Sequence, residues 1–357
     1  MNISIGKNTI GMEYPTYFIA DIAANHDGSL ERAKELIFLA AEAGANAAKF
    51  QNFIAETIVS NYGFANLDTG LGHQSKWKKS VVEVYREASL PIEWTEELKK
   101  SCLEAKIDYF TTPYDLGLVD YLSEHVCAWK LGSGDITWHE MISKLASDDK
   151  PLLLATGATT MNEVVLAMDV ANKETDKLVL MQCNTNYTGN IDNISYSALN
   201  VLKTYKKFFP NTVLGLSDHT PGDMTVLGAV SLGARVIEKH FTDDNNREGP
   251  DHLFAMDPKS WSLMVERTRW LEAALGSHEK TIMPNELETV VVQRRAIRTA
   301  KNLTAGSIIK PEDLVVLRPC PKDALEPYKI HTLIGQRLTR DIPEGDCVRS
   351  KDIECPK

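Results

Sequence analysis

Within nine residues the stretch Val236 to Asp244, VIEKHFTDD, sets Glu238, Lys239 and His240 against an apolar run. A buried strand tolerates such charges only where each finds a partner or ligand that offsets its desolvation. The same demand comes from Lys49 in AAKFQ and Lys130 in AWKLGSG. Three lysines converging on one mouth imply an anionic substrate, and the Gly-flanked backbones of KLGSGD and ATGAT can approach a phosphate or carboxylate closely. His219 in GLSDHT and His240 in EKHF form a pair with Asp218 and Glu238 beside them. Two imidazoles brought to one point could hold a divalent cation, with substrate oxygens, water or a carboxylate completing the shell, or could act as acid and base. His26 and His252 are further candidates.

These residues need a frame that brings them together. Eight short apolar runs recur at 17–22, 46–51, 108–112, 127–131, 151–155, 177–182, 213–217 and 235–239. They read as continuous rather than alternating, the pattern of parallel strands buried on both faces. Helical periodicity fills the gaps: SLERAKELIFLAAEAGA opens at an N-cap serine, Ser29, and stops at Gly44, and similar segments lie at 94–105, 115–123, 138–147, 160–172, 195–208, 221–232 and 258–275. Eight strand-then-helix units predict an α/β fold, a (β/α)8 TIM barrel, with a doubly wound sheet as the alternative. Barrel chemistry sits at the C-terminal strand ends, where this chain delivers Asp21, Lys49, Gln51, Thr112, Lys130, Ser133, Thr185, Tyr187, Ser217, His219, Glu238 and His240. About forty residues separate the second strand from its helix, and NYGFANLDTGLGHQSKWKKS within them is a lid candidate.

The chain has 357 residues, 43% hydrophobic and 25% charged, with a net charge of -10. That describes an ordinary globular protein and argues against nucleic acid or an anionic membrane as partner. No run spans a bilayer and no leader pattern opens the sequence, so a cytoplasmic location is expected. The six cysteines lack metal-type spacing and read as reduced thiols. Residues 1–276 form the expected barrel and 277–289 a linker. Residues 290–357 form a small β-rich domain in which KNLTAGSIIKPEDL (301–314) and RDIPEGDCVRSKDI (340–353) repeat one hairpin-and-turn pattern.

The motifs IADIAANHDGSLERAKELIFLAAEAGANAAKFQ, FTTPYD, KLGSGD, LATGAT, GLSDHT, EKHFTDD and GPDH, in this order, resemble the sialic acid synthase family, which includes N-acetylneuraminate, legionaminate and pseudaminate synthases. The tail, from RRAI through LRP to KDIE, resembles that family's C-terminal antifreeze-like (SAF) domain. The resemblance implies a transferase: metal-dependent condensation of phosphoenolpyruvate with an open-chain amino-sugar aldehyde, giving a nonulosonic acid and phosphate. It makes His219 and His240 ligands of a divalent metal, Mn2+ or Mg2+. Lys49, Thr112, Lys130, Ser133 and Ser217 become the phosphoenolpyruvate set, joined by Thr185, and Gln51, Tyr187 and Asp251 acceptor contacts. Arg318 would reach the acceptor's N-acyl group from a partner subunit's SAF domain, which implies a domain-exchanged homodimer. Asp21 and Glu238 are the carboxylates that could stabilise the cation at the donor's C2 or activate water.

The chain departs from the family pattern at Asp21 and Asp135 (usually Glu), Ala155 (Ser), Thr185 (Asn) and Cys320 (Gly). A carboxylate one methylene shorter moves its oxygens by about an ångström, a displacement that costs about a hundredfold in rate where geometry is critical. These departures predict a pocket rebuilt around its own acceptor. Two other readings stand beside this one: a synthase of another ulosonic acid from a non-acylated or phosphorylated aldose, with Lys76, Lys78 and Lys79 as extra cations, or a catalytically silent carbohydrate-binding homologue.

Overall fold

The computed structural model describes residues 2–67 and 79–354. The chain divides after Gly276 into two units, each with its own core.

In the first unit a hairpin of β1 (Ile3–Ile5) and β2 (Asn8–Ile10) precedes a closed barrel. Eight parallel strands make that barrel in sequence order: β3 (Tyr17–Asp21), β4 (Ala47–Asn52), β5 (Asp108–Pro113), β6 (Trp129–Leu131), β7 (Leu152–Ala155), β8 (Leu178–Cys183), β9 (Val213–Asp218) and β10 (Ala234–His240), which closes against β3. Every residue of β3, β7, β8, β9 and β10 is buried, the reason these strands read as unbroken apolar runs.

Helices follow each strand with the expected punctuation. The helix α1 (Leu30–Glu42) is capped by the Ser29 side chain, which accepts from Arg32 N, and Gly44 behind it takes φ +96°, a value open to glycine. The long second connection is not one loop. It carries α2 (Ala55–Ile58), α3 (Asn61–Ala65) and α4 (Val81–Ala88), the last held by a capping box between Ser80 and Glu83. Lys79 pairs with Glu87 at 2.5 Å on the surface, whereas Lys76, Lys78 and most of the lid candidate lie outside the described residues. The helices α5 (Thr95–Ala105), α6 (Leu116–Ser123), α7 (His139–Ala146), α8 (Met161–Ala171), α9 (Val201–Phe208), α10 (Met224–Ser231) and α11 (Pro258–Leu275) complete the ring.

The second unit carries less regular strand than expected. The helix α12 (Leu287–Gln293) begins inside the predicted linker, and β11 (Ala296–Thr299) pairs antiparallel with β12 (Leu314–Leu317). The two repeats do not each close a hairpin. They pair with one another, Leu303 and Ile342 exchanging both backbone hydrogen bonds at 2.9 Å. About that point the repeats match contact for contact. Lys301 meets Asp313 at 2.7 Å and Arg340 meets Asp352 at 2.6 Å. Lys310 N donates to Asp313 and Arg349 N to Asp352, each at 2.9 Å, and Gly306 and Gly345 both take φ +81°.

Candidate active site

Strand register decides which side chains share the barrel mouth. His240 lies beside Asp21, and Asp21 beside Lys49, so one line crosses β10, β3 and β4 with all three side chains inward. Glu238 lies beside Ser217 on the same face, and Ser217 Oγ donates to Glu238 Oε1 at 3.0 Å. Lys239 therefore points outward. It ion-pairs with Asp218 and donates to Thr220 O at 2.6 Å, while Thr225 Oγ1 donates to Asp218 at 2.8 Å. This corrects the expectation of three converging lysines and of Asp218 beside the histidine pair. Side chains alternate along β9 and β10, and Lys239 and Asp218 form a buried pair that fixes the turn carrying His219.

Two lysines remain at the centre. Lys49 Nζ lies 2.7 Å from Asp21, 3.8 Å from Glu238 and 3.3 Å from Thr112 Oγ1. Lys130 Nζ lies 3.6 Å from Glu238 and donates to Leu131 O at 2.9 Å. Burial works against the charge on Lys49, but Asp21 and Glu238 outweigh it and hold the ammonium above its ordinary range. Lys130 is shifted down by burial, which Glu238 offsets only in part. Burial would raise Glu238, yet Lys130 and Lys49 hold it to about 2. Burial pushes Asp21 up against the pull of Lys49.

Beside this cluster the His219 and His240 ring centroids stand 5.4 Å apart, with Tyr187 at 4.5 Å from His219 and Phe254 at 4.8 Å from His240. Burial lowers His240 to about 3, so its imidazole is neutral. Its Nδ1 is buried without a hydrogen-bond partner among the described residues, and Asp251 Oδ2 is 3.9 Å away. His219 Nδ1 faces Asn184 O at 3.1 Å; a carbonyl oxygen only accepts, so Nδ1 carries a proton there and Nε2 is the nitrogen turned to any ligand. These nitrogens fit a divalent cation as two of its ligands. No group of three or more His, Cys, Asp or Glu side chains among the described residues is arranged to hold a metal, so the rest would come from substrate and water.

The mouth has two compartments. The inner one, about 270 Å³, is lined by strand-end residues including Lys49, Lys130, Ser133, Thr185, Ser217 and Glu238. Gly157 lets its floor close: a Cβ there would sit 1.7 Å from Thr185 Oγ1 and 2.9 Å from Ser133 Oγ, and Gly157 N donates to Ser133 Oγ at 2.9 Å. The outer one, about 170 Å³, has walls of Phe53, Ile58, Val84, Ala88 and Pro250, with Asp251 among them. Gln51, Tyr187 and His240 line both. Thr112 is buried against Lys49 and lines neither. Arg318 belongs to the second unit, where its exposed side chain donates from Nε to Gln293 O at 2.7 Å.

Two other candidates resolve differently. His26 packs edge-on against Trp94 at 5.8 Å and its Nδ1 accepts from Gly28 N at 3.0 Å, and His252 is bound between Thr242 and Asp27. The structure adds Tyr114 and Tyr85 to the lining and puts there Asp135, until now only a departure from the family pattern. Burial raises Asp135 to about 6, and its Oδ2 has no hydrogen-bond partner among the described residues. Its place two residues beyond Ser133 in KLGSGD, at a strand end, was the signal available for it.

Known proteins resemble this chain along most of its length. Residues 36–280 match the model of the NeuB family and residues 294–354 that of the SAF domain. The chain is 34% identical over 354 residues to the N,N'-diacetyllegionaminic acid synthase of Legionella pneumophila, covering 96% of each. It is 27% identical to human N-acetylneuraminate-9-phosphate synthase, covering 97% of this chain and 94% of that one. The crystal structure of an N-acetylneuraminic acid (sialic acid) synthetase from Leptospira borgpetersenii in complex with citrate superposes with a TM-score of 0.71 at 27% identity, over 81% of this chain and 95% of that one. With an eight-stranded barrel whose mouth carries two buried lysines, and both family models matched in order, the chain belongs to the NeuB family and is a synthase that carries a SAF domain.

Proposed function

We propose that this synthase condenses phosphoenolpyruvate with an N-acylated hexosamine-type aldose, giving a nonulosonic acid and phosphate. One observation carries the reading: Lys49, Lys130 and Ser133, whose hydroxyl Gly157 N holds, line an inner compartment that shares Gln51, Tyr187 and His240 with an outer one walled in part by apolar side chains. The inner compartment suits a compact anion bearing phosphate and carboxylate, for which Lys49 and Lys130 would exchange their contacts to Asp21 and Glu238. Phe53, Ile58, Val84 and Ala88 suit acyl methyls or a deoxygenated carbon, and no lysine or arginine among the described residues lines that compartment.

The donor's methylene carbon bonds to the aldehyde carbon, positive charge develops at the donor's C2, and water adds there. Phosphate leaves, and the water's protons pass to the former aldehyde oxygen and the phosphate. A divalent cation held by His219 and His240 would supply Lewis-acid polarisation of the aldehyde oxygen. Glu238, kept anionic by the lysines, offers fixed negative charge to the cationic C2, and Asp21 stands within reach of the same centre. As the family resemblance implies, Arg318 would serve the acceptor of a partner copy within a homodimer. No helix of the described residues is long and apolar enough to cross a membrane, in keeping with the cytoplasmic location in this reading.

The test is phosphate release from phosphoenolpyruvate with Mn2+ across N-acetylmannosamine, its 6-phosphate, 2,4-diacetamido-2,4,6-trideoxyhexoses and plain hexoses and pentoses, with mass spectrometry of the product. Sugar-dependent release with an N-acylated, unphosphorylated acceptor is expected. Silence across the panel from protein that binds Mn2+ rejects the reading.

A further inference from the structure

Beyond β10 the chain crosses the barrel mouth before α11 begins, and its course there is fixed from the other end of the sequence. Asp27, in the turn after β3, is the hub. Its Oδ1 lies 2.9 Å from Nε2 of His252, a side chain with no exposed surface, and the other nitrogen of that ring lies 2.7 Å from Thr242 Oγ1. A carboxylate only accepts, so Nε2 carries a proton toward Asp27. Asp27 Oδ2 meets Arg32 Nε at 3.1 Å and Arg247 Nη2 at 3.0 Å. Arg32 in turn forks onto Asp243 at 2.7 and 2.5 Å. Gly249 passes so close over the ring that a Cβ there would sit 2.6 Å from His252 Cδ2.

The residue between Pro250 and His252 is Asp251. Its Oδ2 accepts from Ala24 N, again in the turn after β3, at 3.2 Å and stands 3.9 Å from His240 Nδ1. Asp251 lines the outer compartment and not the inner one. We propose that Asp27 and His252 are positioning residues for the acceptor: they clamp the last barrel loop onto the first and so set Asp251 beside His240. A purely stabilising ion network would affect donor and acceptor alike. A clamp on Asp251 acts first on the outer compartment, which Asp251 lines and the two lysines do not.

The inference rests on the function proposed above, and the experiment separates the two. In full-length D27N and H252N, the KM for the best acceptor should rise about tenfold, the scale of one weakened hydrogen bond, while the KM for phosphoenolpyruvate changes by less than about twofold. Independently of turnover, hydrogen–deuterium exchange should show faster exchange across 242–252 with β3 and β10 unchanged. Equal rises in both KM values, unchanged kinetics, or unaltered exchange in 242–252 overturn the clamp. If the parent protein turns over no acceptor the proposed function fails, and exchange still decides whether the clamp exists.

Discussion

Lys49 and Asp21 meet at 2.7 Å with side chains only 2% and 3% exposed, in adjacent register on β4 and β3. Removing one member of such a pair strands the other charge without water. K49M should therefore lose about 3 kcal/mol of stability in urea unfolding, together with donor-dependent turnover. The double variant K49M/D21N should recover most of the stability and none of the activity. Equal stability of the single and double variants would show that the pair carries no such coupling.

His240 is neutral, buried and unpartnered at Nδ1. H240A should weaken Mn2+ binding, read by electron paramagnetic resonance, by about a hundredfold or more, and abolish metal-dependent turnover with the far-ultraviolet dichroism unchanged. Retained binding and turnover would remove His240 from the metal assignment.

Gly157 closes the inner compartment against Thr185 and Ser133. G157A should destabilise the barrel by about 1–3 kcal/mol and raise the KM for phosphoenolpyruvate. Because the clash is with Thr185 Oγ1, adding T185A should restore part of the melting temperature. A G157A protein as stable as its parent would contradict the approach.

Asp135 has its carboxyl raised to about 6 by burial, with Lys130 pulling the other way. A carboxyl raised on folding binds a proton more tightly in the native state, so its contribution to stability falls as pH rises from about 4 through 6. D135N removes that dependence. The melting temperature of D135N relative to the parent should therefore increase between pH 4 and pH 7 and level off above. A constant difference would place Asp135 in an ordinary solvated setting.

The barrel was legible because its strands are buried on both faces, so apolar runs such as 213–217 and 235–239 announced themselves without alternation. The site was legible where charge interrupted those runs, at Lys49, Lys130, Glu238 and His240. The orientation of Lys239 was not: deciding it needs the register of β10 against β9, a relation between strands that no local pattern carries. For the same reason the repeats of the second unit were visible while their pairing was not, since Leu303 finds its bridge partner, Ile342, in the other copy. Asp27 gave no signal, because its importance comes from residues more than two hundred positions away.

The matched contacts of the two SAF repeats turn on the exchange between Leu303 and Ile342. Either half alone would bare an unpaired edge and an apolar face, so neither has an independent folded existence. Translation must run nearly to the end of the chain before the first repeat can close. Half of this unit, expressed alone, could satisfy itself only by finding a second copy, and a gene encoding one such half would have had to begin as a protein made of two chains.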